Sequence, residues 1–193
     1  MILRVTTPPA EEPVSLAEIK AHLKVDVDDE DDLIGGYLTA ARLQCELEAR
    51  RAFVTQTLQL KLEEWPWADR LSLPRPPLQS VTSVVYVDSD GVQHTLSGSD
   101  YIVDAASEPG RIILAFGAGW PGASLQPGPA ITITYVAGFG DAEDVPATYK
   151  QAIMLATGHF YENREQIVVQ SGVTATQLPW GVTALLMTDR GDF

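Results

Sequence analysis

The chain is short of cysteine, of basic residues and of long apolar runs, and each shortage removes a class of protein. Among its 193 residues Cys45 is the one cysteine, so no intrachain disulfide can staple the fold. No apolar run approaches the roughly 20 residues that span a bilayer. The N-terminus, MILRVTTPPAEEPVS, has a Pro pair and acids where a secretory leader needs an apolar core. The chain is therefore expected to be made and kept in a cytoplasm, with no membrane partner. Lys and Arg number 13 against 26 Asp and Glu, a formal net charge of −13. Holding nucleic acid by phosphate neutralisation needs a clustered basic face, which this balance disfavours. An acidic wall does suit a protein past which DNA slides without sticking.

What remains is enough for a sizeable core, since hydrophobic residues make up 45% of the chain. Residues 14 to 52 read as helix. Ser15-Leu16-Ala17-Glu18 is a capping box, in which the Ser side chain accepts from the backbone N–H of residue 18 and the Glu reaches back. Leu16, Ile19 and Leu23 follow at helical spacing. The acids Asp26, Asp28, Asp29, Glu30, Asp31 and Asp32 suit the positive end of a second helix. Its apolar stripe is Leu33, Ile34, Tyr37, Leu38, Ala41 and Cys45. Gly35 and Gly36 weaken that helix by roughly 1 kcal/mol each relative to Ala, which points to close packing against another helix. Glu46, Glu48, Arg50 and Arg51 read as its solvated end.

Residues 53 to 140 change character. From Thr57 to Leu62 the pattern alternates with a period of two, as in a half-buried strand. Val81–Val87, Gln93–Leu96, Arg111–Phe116 and Ile131–Val136 are further strands, rich in Val, Ile, Thr and Tyr. Turn signals separate them, among them Pro74-Arg75-Pro76-Pro77, Glu108-Pro109-Gly110 and the hairpin signal Asp90-Gly91. Residues 141 to 193 return to helix, with Pro146 in a first turn and Tyr149, Ala152, Ile153, Ala156 and Phe160 as its stripe. Gln166 to Gln177 read as a loop or flexible arm, and Pro179 starts a short last helix faced by Val182, Leu185 and Leu186. The expected fold class is α+β, a helical bundle body with an inserted small antiparallel β module. The helical body takes residues 1–53 and 141–193, the β module residues 54–140, and the arm 166–177.

The stretch Asp144 to Glu165 ends in the polar-aromatic cluster Gly158, His159, Phe160, Tyr161, Glu162, Asn163, Arg164 and Glu165, either an active site or a contact surface. His159 and Glu162 lie one turn apart and share a face, half of a metal site or an acid–base pair. No H-E-x-x-H and no Cys/His cluster completes it, so charge pairs within or between chains are the plainer reading of Glu162, Arg164 and Glu165. Gly117 to Gly122 fits G-x-G-x-x-G, but no helix can follow it, and a dinucleotide loop must open one; a β–β loop fits better. Counted from Asp26, a calcium loop would need Gly where Asp31 stands and Glu where Tyr37 stands. Cys45 sits on an apolar stripe, as a buried thiol does. Trp65 and Trp67 could stack on a sugar or pack against protein. No cofactor, metal or catalytic set emerges.

The order of several segments resembles a known group. Pro13-Val14-Ser15-Leu16-Ala17-Glu18-Ile19-Lys20-Ala21-His22-Leu23-Lys24-Val25, followed by acids and Leu33-Ile34, is similar to the start of tailed-phage head–tail connector proteins. These adaptor or head-completion proteins also occur in prophages and gene transfer agents. Leu73-Pro74-Arg75-Pro76-Pro77-Leu78-Gln79-Ser80-Val81, with Val84, Tyr86, Asp88 and Gly91, resembles the longer members that carry a β insert. Ala137-Gly138-Phe139-Gly140, Val145-Pro146 and Gly158 through Glu165 resemble the third helix of the same group. The resemblance implies a structural protein without catalysis or cofactor, in a ring of about a dozen subunits. Such a ring sits beneath the portal protein at the head–tail junction of a virion, receives the stopper or tail-completion protein, and lets DNA pass unbound. Assembly in the host bacterial cytoplasm is implied with it. On that reading His159, Tyr161, Glu162, Arg164, Glu165 and Trp180 are interface residues, and Asp28, Asp29, Glu30, Asp31 and Asp32 line the channel. The alternatives are a metal-dependent or acid–base enzyme using His159 and Glu162, or a sugar-binding β module using Trp65 and Trp67. Gly158 is read as letting a neighbour approach, with Phe160 packed inward.

Overall fold

The computed structural model describes residues 1–163 and 179–187; the expected arm at 166–177 lies outside them, as do Arg164 and Glu165. The described chain forms two compact units. One comprises Met1–Ala10 with Thr55–Phe139, the other Glu11–Val54 with the described residues from Gly140 onward.

The first unit is all β. Its strands are β1 (Ile2–Thr7), β2 (Gln56–Leu62), β3 (Arg70–Ser72), β4 (Leu78–Val87), β5 (Gln93–Thr95), β6 (Tyr101–Asp104), β7 (Arg111–Leu114) and β8 (Ile131–Ala137). They make two antiparallel sheets, ordered β1-β2-β8-β4-β5 and β3-β7-β6. β8 is the middle strand, and its period-two alternation buries Ile131, Ile133, Tyr135 and Ala137. Leu58 and Leu60 do the same on β2. The buried Tyr135 hydroxyl donates to the Pro74 carbonyl at 2.6 Å, and burial raises its pKa. The Asp90-Gly91 turn closes β4 onto β5: Asp88 Oδ1 accepts from the N–H groups of Asp90 and Val92, and Gly91 takes φ +79. Gly110 is needed for space, because a Cβ there would stand 2.3 Å from Leu78 Cβ.

The N-terminal segment corrects the sequence reading, which gave residues 1–53 wholly to the helical body. Ile2–Thr7 is an edge strand paired with β2, although two helices separate them in the chain. Its six residues do not alternate in burial, so there was little period-two signal to read. β3 and β6, of three and four residues, are likewise too short for periodicity to mark.

The second unit is helical: α1 (Leu16–Leu23), α2 (Asp31–Ala49), α3 (Ala147–Glu162) and α4 (Trp180–Met187), with a 3-10 turn at Ala142–Asp144. The capping box forms as its sequence demands: Ser15 Oγ accepts from the Glu18 N–H and Glu18 Oε2 from the Ser15 N–H. Pro146 is the cap of α3 and Ala147 its first residue. α2 packs on α3, and α3 on α4. Their shared core holds Ile34, Leu38, Ala41 and Cys45 from α2 and Tyr149, Ala152, Ile153 and Ala156 from α3. Val182 and Leu186 come from α4. Phe53 stacks on Tyr149 with ring centroids 4.6 Å apart. Burial with the Glu46 carboxylate nearby pushes the Cys45 thiol up to about 12, so it is an inert core group.

Two expectations about α2 fail. Glu46 and Arg51, read as its solvated end, are buried, with 0% and 2% exposure. α2 stops at Arg50, which takes a left-handed φ of 55, and the chain then turns back into the core. Gly35 and Gly36 face no other helix: a Cβ on either would find nothing within 4 Å.

Candidate functional site

The expected interface residues gather in part at the end of α3. His159 is half-buried, and its Nδ1 lies 3.2 Å from the Asn163 amide nitrogen. That amide also donates to the His159 carbonyl at 2.9 Å, closing the helix end. Tyr161 is half-buried, and its hydroxyl donates to Glu30 Oε2. Glu162 is exposed. Trp180, at the start of α4, is 86% exposed. Phe160 is half-buried rather than packed inward. The neighbour beside Gly158 is α1 of the same chain, with His22 Nε2 and Leu23 Cδ2 3.6 Å from a built Cβ, an ordinary contact.

The acidic run is divided between inward and outward work. The Lys20 ammonium bridges Asp28 Oδ1 at 2.5 Å and Asp31 Oδ1 at 2.7 Å. Those hydrogen bonds, the one to Asp28 foremost, raise the Lys20 pKa, and the same contact holds the Asp28 carboxyl below its usual range. Glu30 is taken up by Tyr161. Asp29 and Asp32 stand exposed. The pattern has a local cause: α1 presents Lys20 in its last turn, and α2 opens with Asp31 and Asp32 where the helix dipole favours acids. Sequence reasoning passed over Lys20 because nothing in a linear acid run says which acids a preceding helix will neutralise.

It also missed a buried ionic network. Glu12 Oε2 accepts from Arg42 Nε at 2.7 Å, and Glu12 Oε1 from the Thr39 hydroxyl at 2.9 Å. Arg42 Nη1 donates to Glu46 Oε2 at 3.2 Å, and Glu46 Oε1 accepts the Phe53 N–H at 3.0 Å. The network ties the chain before α1 and the chain after α2 to one face of α2. The Arg42/Glu46 spacing of four residues was the available signal, but only burial shows that it is structural.

Neither the enzyme alternative nor the sugar-binding one gains support. Among the described residues no three His, Cys, Asp or Glu side chains are placed to hold a metal ion. Trp65 does not form a platform with Trp67. One Trp65 face is covered by Trp120, at 4.9 Å and 9° between planes, and its edge meets Tyr86 at 5.8 Å. Trp67 is wholly exposed. Gly117–Gly122 lies in the connection between β7 and β8 with no helix after it.

The described residues form a helical unit and a β unit, each with its own buried core. Residues 13–91 match the family of phage gp6-like head–tail connector proteins. Among solved structures, a chain in the virion of a native gene transfer agent particle is similar at 27% identity and TM-score 0.77, covering 98% of this chain and 95% of that one. A chain in the neck of the empty particle, computed with C6 symmetry, gives 28% and 0.77 over 97% and 94%. One in the native neck, with C12 symmetry, gives 28% and 0.73 over the same shares. No curated protein matches. The family match over residues 13–91 and the likeness to gene transfer agent neck chains together support a structural connector in a phage-like particle. Those neighbours are subunits of particle necks computed with sixfold and twelvefold symmetry.

Proposed function

We propose that this connector forms its ring beneath the portal protein, joins the DNA-filled head to the stopper or tail, and catalyses nothing. The observation that carries the reading is the likeness, at 28% identity over 97% of the chain, to a subunit of a twelvefold gene transfer agent neck. Closed cyclic symmetry with an open middle lets one subunit type surround a duplex. The charge of −13 suits that position, since an acidic lumen repels phosphate and does not retain the passing DNA. Asp29 and Asp32 are the members of the acidic run best suited to the lumen, because Lys20 and Tyr161 engage the others. Trp180 and Glu162 remain the exposed interface candidates, with His159 and Tyr161 shaping the surface behind them. Assembly takes place in the host bacterial cytoplasm, before the tail is attached.

The test is removal. Particles made without this protein are expected to package DNA and then fail to join or hold tails. Normal, DNA-filled, tailed particles in its absence would sink the proposal.

A further inference from the structure

α2 carries a second apolar stripe that is exposed among the described residues. Ile34, Leu38, Ala41, Cys45 and Ala49 face the core. On the opposite side of the helix, Leu33, Gly36, Ala40, Leu43 and Leu47 are all exposed. Their spacing of three, four, three and four residues is the seam of a packed helix pair, and it runs about 21 Å at 1.5 Å per residue. Exposure is substantial: 39% for Leu33, 50% for Leu43 and 66% for Leu47. Charge is pushed to the borders, with Asp32 and Arg50 on one side and Glu48 on the other. A helix apolar on both faces belongs between two layers, and the described residues of the subunit supply only one.

We propose that this seam is a subunit–subunit contact, covered in the assembled ring by a second copy of this chain. The inference rests on the ring reading above. Two observations choose that occupant. On a chain with a net charge of −13, copies repel wherever acids face each other, and the seam is an uncharged strip on which they can meet. The small residues Gly36 and Ala40 sit mid-seam, and a Cβ on Gly36 would find nothing within 4 Å, so a neighbouring side chain or helix can approach closely there. A ring of more than two subunits joins unlike faces, so the seam must meet a different surface. The same unit offers one on α4, where Trp180 and Met187 are 86% and 49% exposed and lie seven residues apart, hence on one side. The seam of one subunit receives the Trp180–Met187 face of the next.

The test compares particle necks assembled with the wild-type chain, the double variant Leu43→Glu/Leu47→Glu, and a control, Ile102→Glu, on the β unit (Ile102 is 58% exposed). The double variant is expected to melt like wild type as a free subunit and to lose at least about tenfold of its occupancy in necks, equivalent to about 1.4 kcal/mol. The control is expected to keep it. In a second arm, Leu47→Cys/Met187→Cys is oxidised within intact necks and should give a ladder of cross-linked multimers, Cys45 being buried. Full occupancy of a folded Glu variant overturns the seam while leaving the ring standing. Absence of the ladder in symmetric necks overturns the pairing with α4. Necks that contain no ring of the wild-type chain overturn both the connector reading and this inference.

Discussion

Replacing Glu46 with Ala tests the least expected feature of the fold. The carboxylate has no solvent exposure and accepts from Arg42 Nη1 at 3.2 Å and from the Phe53 N–H at 3.0 Å. Truncation removes the acceptor of a buried backbone donor and one partner of a buried arginine. Breaking a buried ion pair from one side costs about 3–5 kcal/mol. Arg42 keeps Glu12 at 2.7 Å through Nε, which argues for the lower end, about 3 kcal/mol. In a chain of this length 1 kcal/mol moves the melting temperature by about 2–4 °C, so the helical unit should melt roughly 6–12 °C lower. Thermal unfolding followed by helical circular dichroism measures it. Glu46→Gln keeps an acceptor for the Phe53 N–H and should lose about half as much. Gln44→Ala, exposed on the same helix, should stay within about 0.5 kcal/mol. Adding Arg42→Ala to Glu46→Ala should cost less than the sum of the two single changes. A Glu46→Ala protein that melts with the wild type, or two changes that simply add, would refute the reasoning.

Four further outcomes are expected. The Cys45 thiol, raised to about 12 and buried, should not react with a thiol reagent at pH 8 in the native protein and should react fully in denaturant; prompt native reaction would place it at the surface. The Asp104 carboxyl is held below its usual 3.8, first by the Ser107 hydroxyl and then by Arg111. A depressed folded pKa gives stability that is present above the unfolded value and lost as pH falls through the folded one. The β unit should therefore hold constant down to about pH 5 and weaken below about pH 4, less steeply in Asp104→Asn, and an NMR midpoint at or above 3.8 would contradict the contact. Gly110→Ala should destabilise the β unit by about 2 kcal/mol because its Cβ would overlap Leu78, whereas Gly35→Ala, with open space around it, should stabilise the helical unit by up to about 1 kcal/mol; the reverse order in denaturant unfolding would show the packing to be misread. Tyr161→Phe removes the hydroxyl that donates to Glu30 and should cost about 1 kcal/mol, with faster amide exchange in the loop before α2; unchanged exchange would mean the contact does not hold that loop.

The sequence by itself determined the local elements and their order. The Ser15/Glu18 capping box, the alternation from Thr57 to Leu62, the Asp90-Gly91 hairpin and the apolar stripe of α3 each follow from interactions within a few residues. Short-range hydrogen bonds and side-chain periodicity are written directly in the chain, and so the α+β class and the connector resemblance could be read there. Tertiary structure alone decided which charges are solvated and where the N-terminus goes. Ile2–Thr7 becomes a strand only because β2 offers an edge to pair with, and no local pattern marks it. Glu46 and Arg51 look like a polar helix end until the chain turns back at Arg50 and buries them. The five acids from Asp28 to Asp32 look alike until Lys20 and Tyr161, brought near by packing, claim three of them. The single apolar stripe read on α2 is buried at Ile34, Leu38, Ala41 and Cys45, but Leu33, read with them, stands 39% exposed, and periodicity alone did not separate it from Ile34. Burial is a property of the neighbours a side chain acquires, and those neighbours come from distant parts of the chain.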